Sequence, residues 1–95
     1  MYVKIVSFKI REGEDITFLE LQKFEEKYSA KPAGLDHFHI FKDLNNEHVY
    51  FLVEYWDTKE HHDQLEHSEE HQHFHAMRKF AVEKKYDNYD CEVVV

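Results

Sequence analysis

The hydrophobic pattern of this chain changes period in an order that very few folds accommodate. Apolar residues alternate over residues 2–10 and then recur every three or four positions over residues 15–29. Alternation returns at 35–42 and 47–56, and after a further helical region it returns again at 86–95. A period of two indicates a strand, and a period near 3.6 indicates a helix. The order predicts a ferredoxin-like βαββαβ fold of the α+β class, a four-stranded antiparallel sheet with helices on one face.

The second helical region carries two start signals. Asp57 followed by Glu60 has the spacing of a capping box, which predicts a short helix that ends near Glu66. Ser68, followed by two acidic residues, predicts a second start. From there the helical period continues to about Lys84.

The first helix has an apolar stripe whose third member is ambiguous. Phe18 and Leu21 fix the stripe, and either Phe24 or Glu25 continues it toward Tyr28. The sequence leaves these two alternatives open.

The predicted sheet is apolar on both faces, although helices can cover only one of them. Tyr50 and Phe51 belong to opposite faces, because side chains alternate along a strand. An uncovered apolar face is unfavourable in water. The length of 95 residues predicts one domain over residues 1–95, with a small core. We therefore expect a homodimer that buries the second face.

Composition excludes several classes of partner. The net charge is −8 and no cluster of Lys and Arg is present, which argues against a nucleic-acid partner. The single cysteine, Cys91, permits no internal disulfide and fits a reducing compartment. We see no signal-peptide pattern and no apolar run long enough to span a membrane. A cytoplasmic protein without a membrane partner is expected.

Six of the nine histidines lie between residues 61 and 75, and HSEEHQHFH contains four of them. His67, His71 and His75 are four residues apart, and two histidines at that spacing can share a metal ion. No carboxylate or cysteine follows at a diagnostic spacing, and Ser68 as a cap would place His67 outside the helix. A solvated helix face is the simpler interpretation, so we expect no metal.

One helical stripe combines His71, Phe74, His75 and Arg78 and is predicted to face the sheet. His75 would then lie at a pocket wall and act as a base, since an imidazole titrates near neutral pH. The alternative is a partly buried histidine with a structural hydrogen bond. The histidines expected at the surface are His61, His62 and His73.

His37 and His39 share one face of the strand at 35–42. They are further candidate bases if that face lines a pocket, and packing residues if it faces a partner protomer. Trp56 ends a buried strand, where its main role is expected to be structural. The chain has no phosphate-binding loop, CxxC pair or dinucleotide fingerprint, so no cofactor is expected.

The segment VYFLVEYWDTKEHHDQLEHSEEHQHF resembles the antibiotic biosynthesis monooxygenase domain. The similar features are a strand ending in Glu54-Tyr55-Trp56, a polar cap at Asp57-Thr58, a short helix, Ser68 and Phe74. Upstream, FKIREGED resembles the exit of the family's first strand and KPAGLDHFHIFKD resembles the start of its second. The resemblance covers essentially the whole chain.

This resemblance implies a dimeric α+β barrel with a pocket between sheet and helices in each protomer. It implies oxidation of a small aromatic or quinol by dioxygen without a cofactor, with His75 or His71 as the base. The candidate substrate-binding residues of such a pocket are Val6, His37, Phe51, Trp56, Leu65 and Phe74.

Some relatives degrade haem with an Asn, a Trp and a His. Carried over to this chain, these fall on Val6, Leu65 and His75, so only the histidine is kept. Many members have no established activity. The alternatives are therefore a non-catalytic dimeric module for small-molecule binding or stress response, and a haem- or metal-binding protein that uses His75 and His71.

Overall fold

The computed structural model describes residues 1–27 and 33–95. The elements are β1 (Tyr2–Ile10), α1 (Asp15–Lys27), β2 (Leu35–Lys42), β3 (Val49–Trp56), α2 (Lys59–Glu66), α3 (Glu69–Arg78) and β4 (Val82–Glu92). The four strands form one antiparallel sheet in the order β2-β3-β1-β4. This is the ferredoxin-like arrangement, and the predicted fold class is confirmed. In the described ranges no helix combines the length and the apolarity needed to span a membrane.

The helices pack on one side of the sheet, which we call the helix face. Phe18 of α1 is fully buried, and its ring centroid lies 5.6 Å from those of Phe8 and Tyr50. A second core cluster, under α2, joins Tyr2, Leu35 and Trp56. The two clusters leave space between them at the middle of the helix face, where the cavity described below lies.

The other side of the sheet, the open face, carries no helix among the residues that the structure describes. Strand alternation assigns to it Val3, Ile5, Ser7, His37, His39, Phe41, Phe51, Val53, Tyr55, Tyr89 and Cys91. The ring of His37 stacks on Tyr55 at a centroid distance of 4.1 Å. Aromatic side chains at the edges of this face, such as Phe41 and Tyr89, are half exposed.

Two predicted boundaries near β3 were wrong by one or two residues. β3 begins at Val49, because His48 adopts a left-handed backbone conformation with φ of 64° that interrupts the strand. The N-cap of α2 is Thr58, whose hydroxyl accepts a hydrogen bond from the His61 N–H. Asp57 instead accepts hydrogen bonds from the Thr58 N–H and the His61 ring.

The predicted continuation of α3 to Lys84 was also wrong. Ser68 caps α3 as expected, but the helix ends at Arg78 and β4 already begins at Val82. Hydrogen-bonded pairing with β1 aligns Lys84 with Lys9, so the sheet overrides the local helical period. β4 is a polar edge strand, a composition that disfavours pairing with further strands.

The buried stripe of α1 continues through Glu25 and not through Phe24. Glu25 is 4% exposed and Gln22 is 1% exposed, whereas Phe24 is 54% exposed. The helix therefore turns two polar side chains toward the sheet. The predicted end of this helix at residues 28–29 lies outside the described residues.

Candidate active site

A cavity lies on the helix face, between the sheet and the three helices. Val6, Phe8 and Leu52 form its apolar floor. The other lining residues are Lys4, Gln22, Glu25, Glu54, His62, Leu65, Glu66, His71, His75, Arg78 and Lys85. Its volume is about 70 Å³, less than the roughly 150 Å³ of a cavity that encloses benzene. The cavity is therefore small and unusually rich in ionisable groups.

His71 of α3 faces Glu25 of α1 across the cavity wall. The Ser68 hydroxyl accepts a hydrogen bond from the His71 N–H, which fixes this residue in the first turn of α3. The Nδ1 atom of His71 lies 3.2 Å from Oε1 of Glu25, within hydrogen-bond distance. This contact joins the two helices beside the cavity.

His75 follows one turn later on the same side of α3, with its ring centroid 6.3 Å from that of His71. A guanidinium nitrogen of Arg78 lies 3.2 Å from its Nδ1 atom. Partial burial, and after it the positive charge of Arg78, lowers the pKa of His75 below its usual 6.5. This lowered pKa favours the neutral form of His75.

Arg78 is held from three sides. It is 7% exposed, and its Nη1 donates to Oε1 of Gln22 at 3.1 Å. Its guanidinium carbon lies 4.8 Å from the ring centroid of Phe8 and 5.2 Å from that of Phe74. Cation–π contacts and hydrogen bonds of this kind compensate the burial of a charge. The contact with His75 is thus made by a rigidly placed cation.

Two lysines add positive charge to the cavity. Lys4 is 7% exposed and donates to Asp90 at 3.1 Å, and the Tyr2 hydroxyl donates to the same carboxylate. These hydrogen bonds lower the pKa of Asp90. Lys85 is the cross-strand neighbour of Phe8. Burial, and then the charges of Arg78 and Lys4, lowers the pKa of Lys85.

His62 was expected at the surface, and this expectation was wrong. It is 6% exposed, with its ring 5.2 Å from Tyr2 and 5.5 Å from Trp56. α2 packs over the ends of β1 and β3, and of the adjacent pair His61 and His62 only the second faces the sheet. Because His61 and His62 are identical and adjacent, the hydrophobic period could not predict which of the two faces the sheet.

His67, His71 and His75, which are spaced four residues apart, do not converge as metal ligands in the described residues. Among residues 1–27 and 33–95, the one group of three potential ligands that converge is His62, Asp63 and Glu66, on α2. Asp63 there already binds Lys59 at 2.8 Å and His62 at 3.0 Å. His71 and His75 do not belong to this group.

The structure brings together only some of the residues predicted for the site. Val6, Leu65, His71 and His75 line the cavity. Phe74 and Trp56 lie on the helix face but are buried in the packing beside it, at 4% and 0% exposure. His37 and Phe51 do not line the cavity, because strand alternation places them on the open face.

Several lining residues were missed by sequence reasoning. They are two apolar residues, Phe8 and Leu52, and seven polar or charged residues, Lys4, Gln22, Glu25, Glu54, His62, Glu66 and Lys85. Lys4 and Glu54 sit at alternating positions of apolar strands, opposite each other across β1 and β3. A charge at an inward strand position was the available signal, since such residues are rarely buried without a reason.

Comparisons with known proteins agree on one family. The family model for antibiotic biosynthesis monooxygenase matches residues 1–77. Solved structures that carry this family's name come from Chloroflexus aurantiacus, Nitrosomonas europaea and Bordetella bronchiseptica, with TM-scores of 0.84, 0.84 and 0.85. They are 14%, 15% and 15% identical to this chain, and the matches cover 99%, 100% and 99% of it. Of those three chains, 93%, 100% and 97% are covered.

No curated protein sequence matches this chain. At identities this low the solved structures establish a shared fold, whereas the family model matches most of the chain by sequence. The chain belongs to the antibiotic biosynthesis monooxygenase family.

Proposed function

We propose that this protein oxidises a small phenolic or quinol ring with dioxygen and without a bound cofactor. The observation that carries the proposal is the cavity itself, in which two histidines of α3 stand above an apolar floor. An apolar floor binds a ring and excludes water, while the polar groups orient it. Family membership supports the same reaction class.

The proposed reaction needs a base and an environment that stabilises an anion. His71 or His75 accepts the phenolic proton, and the electron-rich phenolate gives one electron to dioxygen. Recombination of the radical pair forms a carbon–oxygen bond at a ring carbon that bears hydrogen, and the protonated histidine returns its proton to the peroxide. Loss of water from this hydroperoxide leaves a quinone, so the substrate supplies all four electrons that reduce dioxygen. The positive charges of Lys4, Arg78 and Lys85 favour the anionic species.

The size of the cavity favours a single ring. At about 70 Å³ it admits only part of an aromatic ring unless side chains at its edge move. Leu65 is half-buried and is the only wholly apolar side chain that α2 contributes to the lining, so its displacement would enlarge the cavity. A polycyclic substrate would require a larger rearrangement.

The cavity argues against haem as the ligand. Pockets for ligands of drug size and above enclose about 300–1,000 Å³. In addition, Arg78 donates to the Nδ1 atom of His75, which keeps the proton of a neutral ring on Nε2, the nitrogen that would ligate iron. Val6 and Leu65 offer neither a hydrogen bond nor an aromatic wall. The cavity therefore favours a small organic ligand over haem.

The second candidate function is a non-catalytic module that binds a small ligand in the same cavity. Its small volume and its mixed charges favour this candidate. We further propose that the protein acts as a homodimer with open faces in contact, which would leave the cavities on the two outer sides.

Oxygen uptake with a panel of quinols and polyphenols tests the proposed reaction. Wild type should show saturable uptake, and the variant that removes the base, His71→Ala or His75→Ala, should lower it by about 100-fold or more, the usual contribution of a general base. His73→Ala is the matched control, because His73 lies on the same helix but does not line the cavity. Uptake no faster than autoxidation across the panel would reject the oxidase and leave the binding module.

A further inference from the structure

We propose that Glu25 and Arg78 hold the two cavity histidines in opposite tautomers, which makes His71 the proton acceptor and His75 a hydrogen-bond donor. Glu25 is then a positioning residue that acts through His71. The catalytic meaning of this assignment rests on the proposed function, whereas the tautomers themselves do not.

The tautomer of His75 follows from the chemistry of arginine. A guanidinium group has only hydrogen-bond donors and cannot accept. Because Nη2 of Arg78 lies 3.2 Å from Nδ1 of His75, that nitrogen must present a lone pair. A neutral imidazole with an unprotonated Nδ1 carries its proton on Nε2. The lowered pKa of His75 favours the same neutral ring.

The tautomer of His71 follows from the chemistry of a carboxylate. An ionised carboxylate only accepts hydrogen bonds, so the Nδ1 atom that lies 3.2 Å from Glu25 must carry a proton. The Nε2 atom of a neutral His71 is then unprotonated and can take a proton from a ligand. Fixing the ring through its second nitrogen is how a buried carboxylate prepares a histidine base.

The pair defines the class of ligand that the site recognises. One imidazole accepts a proton and its neighbour, one turn along α3, donates a hydrogen bond. A matching ligand is a ring with an acidic hydroxyl and a second oxygen that accepts, such as a quinol or a hydroxylated ring ketone. A ring with a single hydroxyl offers only one oxygen, which would have to serve both imidazoles at once, at a cost in affinity.

Nuclear magnetic resonance of ¹⁵N-labelled protein at pH 8 reads each tautomer directly. We expect protonated Nδ1 in His71 and protonated Nε2 in His75. Glu25→Met removes the acceptor but keeps the side-chain length, and His71 should then shift toward the Nε2–H form. Glu70→Met, exposed and adjacent to His71, is the matched control and should change neither ring. Protonated Nε2 in wild-type His71, or an unchanged His71 in Glu25→Met, would overturn the proposal.

Turnover separates this proposal from the proposed function. Glu25→Met should lower kcat for quinol oxidation more than it raises KM, and Glu25→Asp, which keeps the carboxylate, should restore part of the loss. If the tautomers are as expected and no quinol is oxidised, the positioning of His71 stands and the oxidase is rejected. If Glu25→Met is too unstable to study, Glu25→Asp must still keep His71 protonated on Nδ1, and failure to do so contradicts the role of the carboxylate.

Discussion

Asp15 joins the first turn of α1 to the start of β3. Its carboxylate accepts a hydrogen bond from the Tyr50 hydroxyl at 2.7 Å and another from Nδ1 of His48 at 2.8 Å. Burial opposes the charge, but these hydrogen bonds outweigh it and lower the pKa of Asp15. Burial and the same carboxylate raise the pKa of Tyr50 to about 12. The contact therefore stabilises both the helix start and the left-handed backbone of His48.

Replacing Asp15 by Asn should lower the free energy of unfolding at pH 7 by about 1.5–3 kcal/mol, the range for hydrogen bonds to charged groups. Because the folded state lowers the pKa of Asp15, its contribution is complete above the ordinary value of 3.8. That contribution is lost as pH falls through the folded value. Below about pH 4, the free energy of unfolding measured with urea should therefore fall more steeply for wild type than for Asp15→Asn.

The control for this measurement is Glu12→Gln, because Glu12 is exposed in the turn before α1. It should leave both the stability at pH 7 and the slope in acid unchanged. Identical acid slopes for wild type and Asp15→Asn would show that the two hydrogen bonds do not stabilise the charged form.

The buried charges show how far sequence reasoning reaches at the level of single residues. The stripe of α3 correctly placed His71 and Arg78 toward the sheet, because an amphipathic period records which side of a helix is inside. The burial of Glu25 could not be predicted in this way, since its hydrogen-bond partner His71 lies 46 positions away. A buried carboxylate is specified by a tertiary partner, and a local pattern contains no information about that partner.

At the scale of elements, Gly34 sets how closely the entry to β2 approaches the start of α2. Its φ is 88°, and its carbonyl accepts a hydrogen bond from the Asp57 N–H at 2.9 Å. A Cβ atom at this position would collide with the Asp57 carboxylate and the His61 ring, which bind each other at 2.7 Å. Gly13 has nearly the same φ, 85°, but a Cβ there would meet nothing within 4 Å.

These two glycines provide a matched pair of substitutions. Gly13→Ala should cost only the strain of the left-handed conformation, about 1–2 kcal/mol. Gly34→Ala should cost measurably more, because the same strain is accompanied by displacement of the Asp57–His61 contact. Urea denaturation of both variants gives the difference directly. Equal losses would indicate that α2 adapts freely and that the close approach has no energetic consequence.

The order of the elements was predictable from local patterns, whereas certain boundaries depend on contacts that the local pattern does not contain. The strands at 2–10 and 35–42 and the start at Ser68 follow from alternation and from capping chemistry, which are local properties. The start of β4 at Val82 depends on pairing with Ile10, more than 70 residues away. Thr58 caps α2 in place of Asp57, because the Asp57 carboxylate is bound to the His61 ring. Both residues are common helix caps, so their types alone do not decide which one caps the helix.

At the scale of the whole molecule, the described residues form a slab of 34 × 32 × 18 Å. The slab is thin because the helices cover only the helix face. Its broad side exceeds the roughly 800 Å² that each partner buries in a standard interface. The open face combines apolar residues such as Val53 and Ile5 with the stacked pair His37 and Tyr55. A second copy of the chain would cover this surface without blocking the cavity on the opposite side.

Light scattering after gel filtration tests the proposed homodimer. Wild type should have twice the chain mass of 11.6 kDa, and Val53→Asp should give a monomer, because a charge at the centre of an apolar interface is left unpaired. Ile16→Asp is the control, since Ile16 is 76% exposed on the helix side of the molecule, and it should remain a dimer. Should Val53→Asp fail to fold, Tyr89→Glu places the charge on a side chain that is already 53% exposed.

A melting temperature that rises with protein concentration in wild type, but not in the monomeric variant, would link association to stability. Wild type at the mass of a single chain would instead mean that the open face is stable in water without a partner.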